Sequence, residues 1–258
     1  MSATAPDYSV PALDKALDIL ELLAGQSGGL AQGEIAERVE RSASQIFRVL
    51  QTLQARGYIY RHPQSGLYSL SLRMFDLAHR HHGVRGLILA AQYPMRLLAD
   101  RVRQSCNLGM LEAGRVLILA QVESPADFGF HVRVGATFPI DTTATGALLM
   151  AHQDDDVRDA WLASLQPRAG RAMAERLDTI REHGFERADD SIQPGVTDLV
   201  YPVFGPDRRV SAALTVPYIS TSFSSGRLND AEEHARSAAA SITAGLGGAA
   251  GLGGAAAR

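Results

Sequence analysis

The chain reads as an α+β protein in two parts. Helical periodicity runs through residues 11–55 and gives way to two short strand-like runs separated by turn residues. From Asn107 onward the pattern changes to apolar hairpins with helical stretches segregated between them, which predicts an antiparallel sheet. Hydrophobic residues make up 46% of the 258 positions, enough for a core in each part. The divisions fall at 9–72 for the first domain, 73–88 for a linker helix, 89–246 for the second domain and 247–258 for a Gly/Ala tail read as disordered.

A first helix is expected from about Pro11 to Ala24, with Leu13, Leu17, Leu20 and Ala24 as its inner stripe and Pro11 in the first turn. Gly25–Gly29 breaks it. A second helix, near Gln32–Val39, buries Ile35, Ala36 and Val39. Ala31 is a poor cap for it.

A third helix follows a tight turn. Ser42 is its N-cap, and Gln45 three places on has capping-box spacing. Ile46, Val49, Leu50 and Leu53 form one buried stripe. Ser44, Gln45, Arg48, Gln51 and Thr52 remain on the opposite face, which carries no carboxylate. Such a face suits the DNA major groove, although an ordinary solvated helix face can look the same. Gly57 is placed to end the helix. Tyr58 and Tyr60, then Leu67–Leu70, flank His62-Pro63-Gln64-Ser65-Gly66 as two strands of a wing. Arg61 and His62 lie near its tip, within reach of a phosphate or the minor groove.

Charge is distributed to match. The whole chain carries a formal −3, but residues 41–85 hold seven arginines and four histidines against Asp76 alone. DNA affinity depends on local positive charge rather than on the sum. The run His79-Arg80-His81-His82 is read as part of an exposed basic connector, because adjacent histidines seldom aim at one metal ion. After an interruption at HRHHGVRG, a helix carries Leu87, Leu89, Ala91, Met95, Leu98 and Val102.

In the second domain LGMLE and RVLILAQVE read as a hairpin, residues 128–134 as a third strand, and residues 196–204 and 209–219 as a second hairpin. Helices are expected at 144–152, 154–165, 170–183 and 228–246. In the segment 130–151, Asp141, Thr142 or Thr143 can cap the helix beginning near Ala144, so the amides of Ala144, Thr145 and Gly146 form a small site for an anion or polar oxygen. In the strand VTDLVYPVF, Asp198 shares a face with Val196, Val200 and Pro202, where an unpaired carboxylate is costly and so a candidate for function.

Several classes are excluded. There is no P-loop, G-x-S-x-G, H-E-x-x-H or dinucleotide fingerprint in a strand–helix context. The lone Cys106 rules out a disulfide framework or a Cys-rich zinc site and reads as a buried structural residue. No catalytic residue, cofactor or metal is expected. No apolar run approaches a membrane span and no secretory signal precedes the first helix, so a soluble cytoplasmic protein is expected.

The succession PALDKALDILELLA, EIAERVERSASQIFRVLQTLQARGYIYR and GLYSLSLRMFDLA resembles the winged helix-turn-helix of IclR-type bacterial transcription regulators, and the resemblance extends to about residue 246. It departs at Ala43, often basic in the family, and at Arg41, where an apolar residue is usual. The resemblance implies a GAF-like effector-binding second domain. It also implies that DNA contacts come from Arg41, Ser42, Ser44, Gln45, Arg48, Arg61 and His62. The effector would be met by Phe130, Phe138, Asp141, Ala144, Thr145, Gly146, Asp189, Asp198, Thr215 and Pro217. Asp141 replaces a frequent His, Asp198 stands where many relatives have Cys, and Pro217 where a small hydroxyl is usual.

The implied protein binds double-stranded, pseudo-palindromic operator DNA as a homodimer or tetramer and controls a catabolic gene cluster. Its effector would be a small polar metabolite such as a hydroxylated aromatic or sugar-derived acid, with a hydroxyl or amine at Asp198 and an acid or carbonyl at the helix amides. Two other readings stay open: an enzyme or orphan sensor using its winged helix for protein contacts, and a constitutive DNA binder with a vestigial pocket.

Overall fold

A computed structural model describes residues 10–80, 82–190, 193–220 and 228–248. The chain divides into two compact units, Met1–His82 and Gly83–Arg258.

In the first unit, α1 (Pro11–Ala24), α2 (Gln32–Arg38) and α3 (Ala43–Ala55) precede a two-stranded sheet of β1 (Ile59–Arg61) and β2 (Tyr68–Leu70), and α4 (Arg73–His79) follows. The antiparallel register pairs Tyr60 with Ser69. Ile19, Leu23, Ile35, Ile46, Leu50 and Tyr68 are among its core residues. The inner face of α1 is therefore Ala16, Ile19, Leu20 and Leu23, whereas Leu13, Leu17 and Ala24 are exposed. The expected stripe was wrong because α1 is apolar on several sides, and periodicity cannot choose among them. On α2, Ile35 and Ala36 are buried and Val39 half-buried.

The second unit opens with α5 (His82–Val102). The helix runs through Gly83 and Gly86, so the interruption expected at HRHHGVRG is confined to the residues before His82, of which His81 lies outside the described set. Burial of Leu87, Ala91, Met95, Leu98 and Val102 along one side outweighs the roughly 1 kcal/mol that each glycine costs a helix.

A six-stranded antiparallel sheet follows, in the order β5-β4-β3-β8-β7-β6. Its strands are β3 (Cys106–Glu112), β4 (Arg115–Val122), β5 (Thr137–Phe138), β6 (Glu186–Asp189), β7 (Val196–Phe204) and β8 (Val210–Ile219). Helices α6 (Ala144–Ala151), α7 (Asp155–Ser164) and α8 (Pro167–His183) stand between β5 and β6, and α9 (Leu228–Gly245) ends the fold.

Alternation along the strands sends residues to two cores. Leu108, Leu199, Tyr201, Leu214 and Val216 pack with α5 and α9. Val116, Ile118, Val200 and Ala213 pack with α6 and α8. A bulge between Leu108 and Gly109 gives β4 one extra residue, Leu119, and keeps both faces in phase.

The strand expected at 128–134 does not form. Its backbone is held instead by one side chain: Gln121 Oε1 accepts from the Val132 amide at 2.7 Å, and Gln121 Nε2 donates to the Phe130 carbonyl at 3.4 Å. A side-chain bracket of this kind satisfies peptide groups without a ladder. Strand β6, sequence ERAD, was not anticipated because it is a charged edge strand without β-branched residues.

Candidate DNA-reading helix and effector cavity

Helix α3 is set by its ends. Ser42 Oγ accepts from the Gln45 amide at 3.4 Å, and Gln45 Oε1 accepts from the Ser42 amide at 3.0 Å, a reciprocal capping box. At the far end Gly57 adopts φ +76°, and the Tyr58 amide returns to the Leu53 carbonyl at 2.9 Å. Ile46, Leu50 and Leu53 are buried beneath.

Ser44, Arg48 and Gln51 are exposed on the outer side, and Arg48 has no ion-pair partner among the described residues. Gln45 keeps only its Nε2 for a ligand, because its Oε1 is committed to the cap. Ser44 Oγ lies 3.1 Å from Ser42 Oγ, and Arg41 Nη1 donates to the Glu40 carbonyl at 3.0 Å. On the wing, Arg61 folds back: its Nε donates to the Gly66 carbonyl at 3.1 Å and its guanidinium lies 5.3 Å from the Tyr68 ring centre. His62 is exposed and meets Tyr60 edge-on. One residue escaped the sequence reading. Phe47, 49% exposed, stands on the flank of α3 beside Gln51. An apolar residue next to a buried stripe gives no sequence signal that it faces outward.

The second unit contains a cavity, partly open to solvent, between the sheet and the start of α6. Phe130, Phe138, Val116, Ile118 and Val132 supply apolar walls. Thr145, Asp198, Thr215 and Pro217 line it as well, joined by Asn107, Thr143, Asp190 and Gln193, which the sequence reading missed. Sheet register explains Asn107, which pairs with Thr215 across β3 and β8, just as Asp198 is set beside Pro217 across β7 and β8. These partners are over a hundred positions or some twenty positions apart in the chain, so no local pattern links them.

Four of the expected contacts lie elsewhere. Asp141 is exposed and does not cap α6; Thr143 does, its Oγ1 accepting from the Gly146 amide at 3.0 Å. Gly146 serves packing rather than the cavity, since a Cβ there would sit 2.3 Å from the Ile140 carbonyl oxygen. Ala144 is buried outside the wall, in the core with α8. Asp189 points to the other face of β6 and accepts from Thr197 Oγ1 at 3.1 Å. A two-residue repeat reverses the facing of neighbours such as Asp189 and Asp190.

The polar floor is tightly built. The hydroxyls of Thr145 and Thr215 are 2.7 Å apart and buried. Asn107 is 5% exposed and its Oδ1 has no hydrogen-bond partner. Asp198 is 9% exposed, and burial, reinforced by Asp190 and Glu186, pushes its carboxyl up to about 7 against the pull of Arg176. Glu186 is itself paired with Arg176 at 2.6 Å, and burial raises its carboxyl too. Cys106 lies in the opposite core, its Sγ donating to the Met95 carbonyl at 3.4 Å, and burial pushes its thiol up to about 12. A thiol held neutral in this way is no nucleophile.

Two family models match the chain: the IclR helix-turn-helix domain over residues 12–63 and the bacterial transcriptional regulator IclR C-terminal domain over residues 79–244. The HTH-type transcriptional regulator KdgR of Escherichia coli (strain K12) is 28% identical over 250 residues, covering 94% of each chain. XynR of the same organism is 26% identical over 246 residues, covering 92% of this chain and 98% of the relative. Among solved structures, an IclR homologue complexed with 4-hydroxybenzoate from Microbacterium hydrocarbonoxydans matches with a TM-score of 0.75 at 24% identity, covering 91% of this chain and 98% of that one. The capped α3, the two-stranded wing and the sheet that carries the cavity are thus the parts of a member of the IclR family of bacterial transcriptional regulators.

Proposed function

We propose that this regulator binds a pseudo-palindromic operator of a catabolic gene cluster through α3, and that a small metabolite in the cavity of its second unit shifts that binding. The observation that carries the reading is the cavity, whose apolar walls surround buried Asp198, Asn107, Thr145 and Thr215. A vestigial pocket has no reason to keep buried polar groups that cost stability when unpaired. Arg48, Ser44 and Gln51 would meet base edges or phosphates, and Phe47 a thymine methyl group. The structural neighbour's 4-hydroxybenzoate sets the scale of a fitting ligand: one hydroxylated ring, with its hydroxyl at Asp198 and its ring against Phe130 and Phe138. An acid anchored at the α6 amides has less support, since Thr143 already takes the Gly146 amide.

One helix-turn-helix reads too few base pairs for a specific site, so the DNA-bound form is a dimer or tetramer. Leu89, Tyr93 and Leu97, exposed at four-residue spacing on α5, supply an apolar face for pairing. The test is a selection of bound sequences from a random DNA pool, followed by sedimentation of the free and bound protein and by thermal denaturation against a metabolite panel. Inverted repeats, a dimer or larger, and a ligand-dependent rise in Tm are expected. Failure to enrich any sequence, or a monomer on DNA, would sink the reading.

A further inference from the structure

Nothing in the cavity answers a negative charge. Its wall holds two carboxylates, Asp190 and Asp198, and among the described residues no Arg, Lys or His lines it. Asp190 Oδ1 accepts from the Gln193 amide at 3.1 Å, whereas no protein donor among the described residues is bonded to the Asp198 carboxyl. The nearby cation, Arg176, is committed to Glu186, whose second carboxyl oxygen is buried without a partner. The remaining polar groups, Asn107, Gln193, Thr143, Thr145 and Thr215, can each donate or accept. The Asn107 amide, 5% exposed and with an unpartnered oxygen, is free to turn either end to a ligand. The start of α6, a further source of positive potential, is blunted by Thr143 on the Gly146 amide and by the Ile140 carbonyl held against Gly146.

We propose that the effector of this regulator carries no anionic group inside the cavity and is recognised there as a hydrogen-bond donor, an amine or a hydroxyl on an apolar or aromatic body, bound by Asp198. This rests on the reading of the cavity as the effector site. A buried carboxylate without a cation repels a bound acid and attracts a donor, most strongly an ammonium group. Specificity follows from the same arrangement: an acid of equal shape can enter only if Asp198 takes up a proton.

The groups facing Asp198 are Asp190 and Glu186 from β6 and its exit, and Arg176 from α8; Thr145 of α6 and Thr215 and Pro217 of β8 add no charge. Because Asp198 titrates near neutral pH, the three ligand types separate by the sign of their pH dependence. An amine binds the ionised carboxylate, so its affinity rises by up to about tenfold per pH unit until pH passes the Asp198 midpoint. An acid needs the protonated form, so its affinity is level below the midpoint and falls by up to about tenfold per pH unit above it. A neutral alcohol changes little.

The experiment is calorimetric titration of the full-length protein with 4-hydroxybenzylamine, 4-hydroxybenzyl alcohol and 4-hydroxybenzoate between pH 5.5 and 8.5, repeated with Asp198→Asn. The amine or the alcohol is expected to bind at least tenfold more tightly than the acid at pH 8. Asp198→Asn should narrow or reverse that order and flatten the pH dependence. Tighter binding of the benzoate at pH 8, unchanged by Asp198→Asn, overturns the inference but leaves the effector cavity standing. Absence of heat from all three, with the protein folded, counts against the cavity as a ligand site and so against both readings.

Discussion

The hydroxyls of Thr145 on α6 and Thr215 on β8 meet at 2.7 Å beneath the cavity, both side chains being buried. The bond ties the helix that caps the cavity to the strand that floors it. Removing one hydroxyl strands the other away from water, so Thr215→Val should cost about 1–3 kcal/mol in urea unfolding. Thr145→Val together with Thr215→Val should cost clearly less than the two single changes added. Strict additivity would show that the hydroxyls do not interact.

Gly146 is held against backbone. An alanine Cβ would lie 2.3 Å from the Ile140 oxygen and 2.7 Å from its Cα, and backbone cannot swing aside as a side chain does. Gly146→Ala should therefore lower stability by about 1–3 kcal/mol and shift Tm downward by several degrees. Gly33→Ala, in α2 with nothing near the added Cβ, should leave Tm unchanged or raise it slightly.

Asp198 predicts a pH dependence of the unliganded fold. Its carboxyl titrates near 7 in the folded chain and at its ordinary value of 3.8 when unfolded. The folded state thus holds a proton that the unfolded state loses. The contribution is fully present below pH 3.8 and is lost as pH rises through about 7, amounting to roughly 4 kcal/mol at most. Chemical denaturation at pH 5 and pH 8 should show the native protein losing stability with rising pH and Asp198→Asn losing markedly less. Parallel curves would remove Asp198 from this role.

On α3, Arg48→Ala should weaken operator binding by about 1–3 kcal/mol if it reaches a base, and more evenly across sequences if it reaches phosphate. Phe47→Ala should relax preference at one A·T position while leaving the salt dependence of binding intact, because an apolar side chain releases no counterion. Gel shifts on matched and single-substituted operators at fixed salt separate the two. Unchanged affinity for Arg48→Ala with an intact fold would exclude it as a contact.

Local signals were sufficient for much of this molecule. The Ser42–Gln45 box, the terminal Gly57 and the turn between Arg61 and Leu67 announce α3 and the wing because each rests on residues a few positions apart. The hairpins and α6 to α9 follow from apolar period and turn residues in the same way. Asp198 could be singled out because alternation along one strand places it among Val196 and Val200, and a buried acid is conspicuous.

What the sequence by itself determined is therefore most of the elements, though neither the edge strand β6 nor the irregular course of 128–134, and the side of β7 on which Asp198 lies. Only the tertiary structure decided which residues share a space. Asn107 and Gln193 reach the cavity because β3 pairs with β8 and because the chain turns after β6, and Asp141, Asp189 and Gly146 are kept from it by the α6 cap, the β6 pleat and the Ile140 backbone. The same holds for α1, whose exposed Leu13 and Leu17 are as apolar as its buried Ile19 and Leu23. The physical reason is common to all of them. Periodicity records that a residue faces a neighbour, whereas register and packing, set by contacts between distant parts of the chain, determine which neighbour it faces.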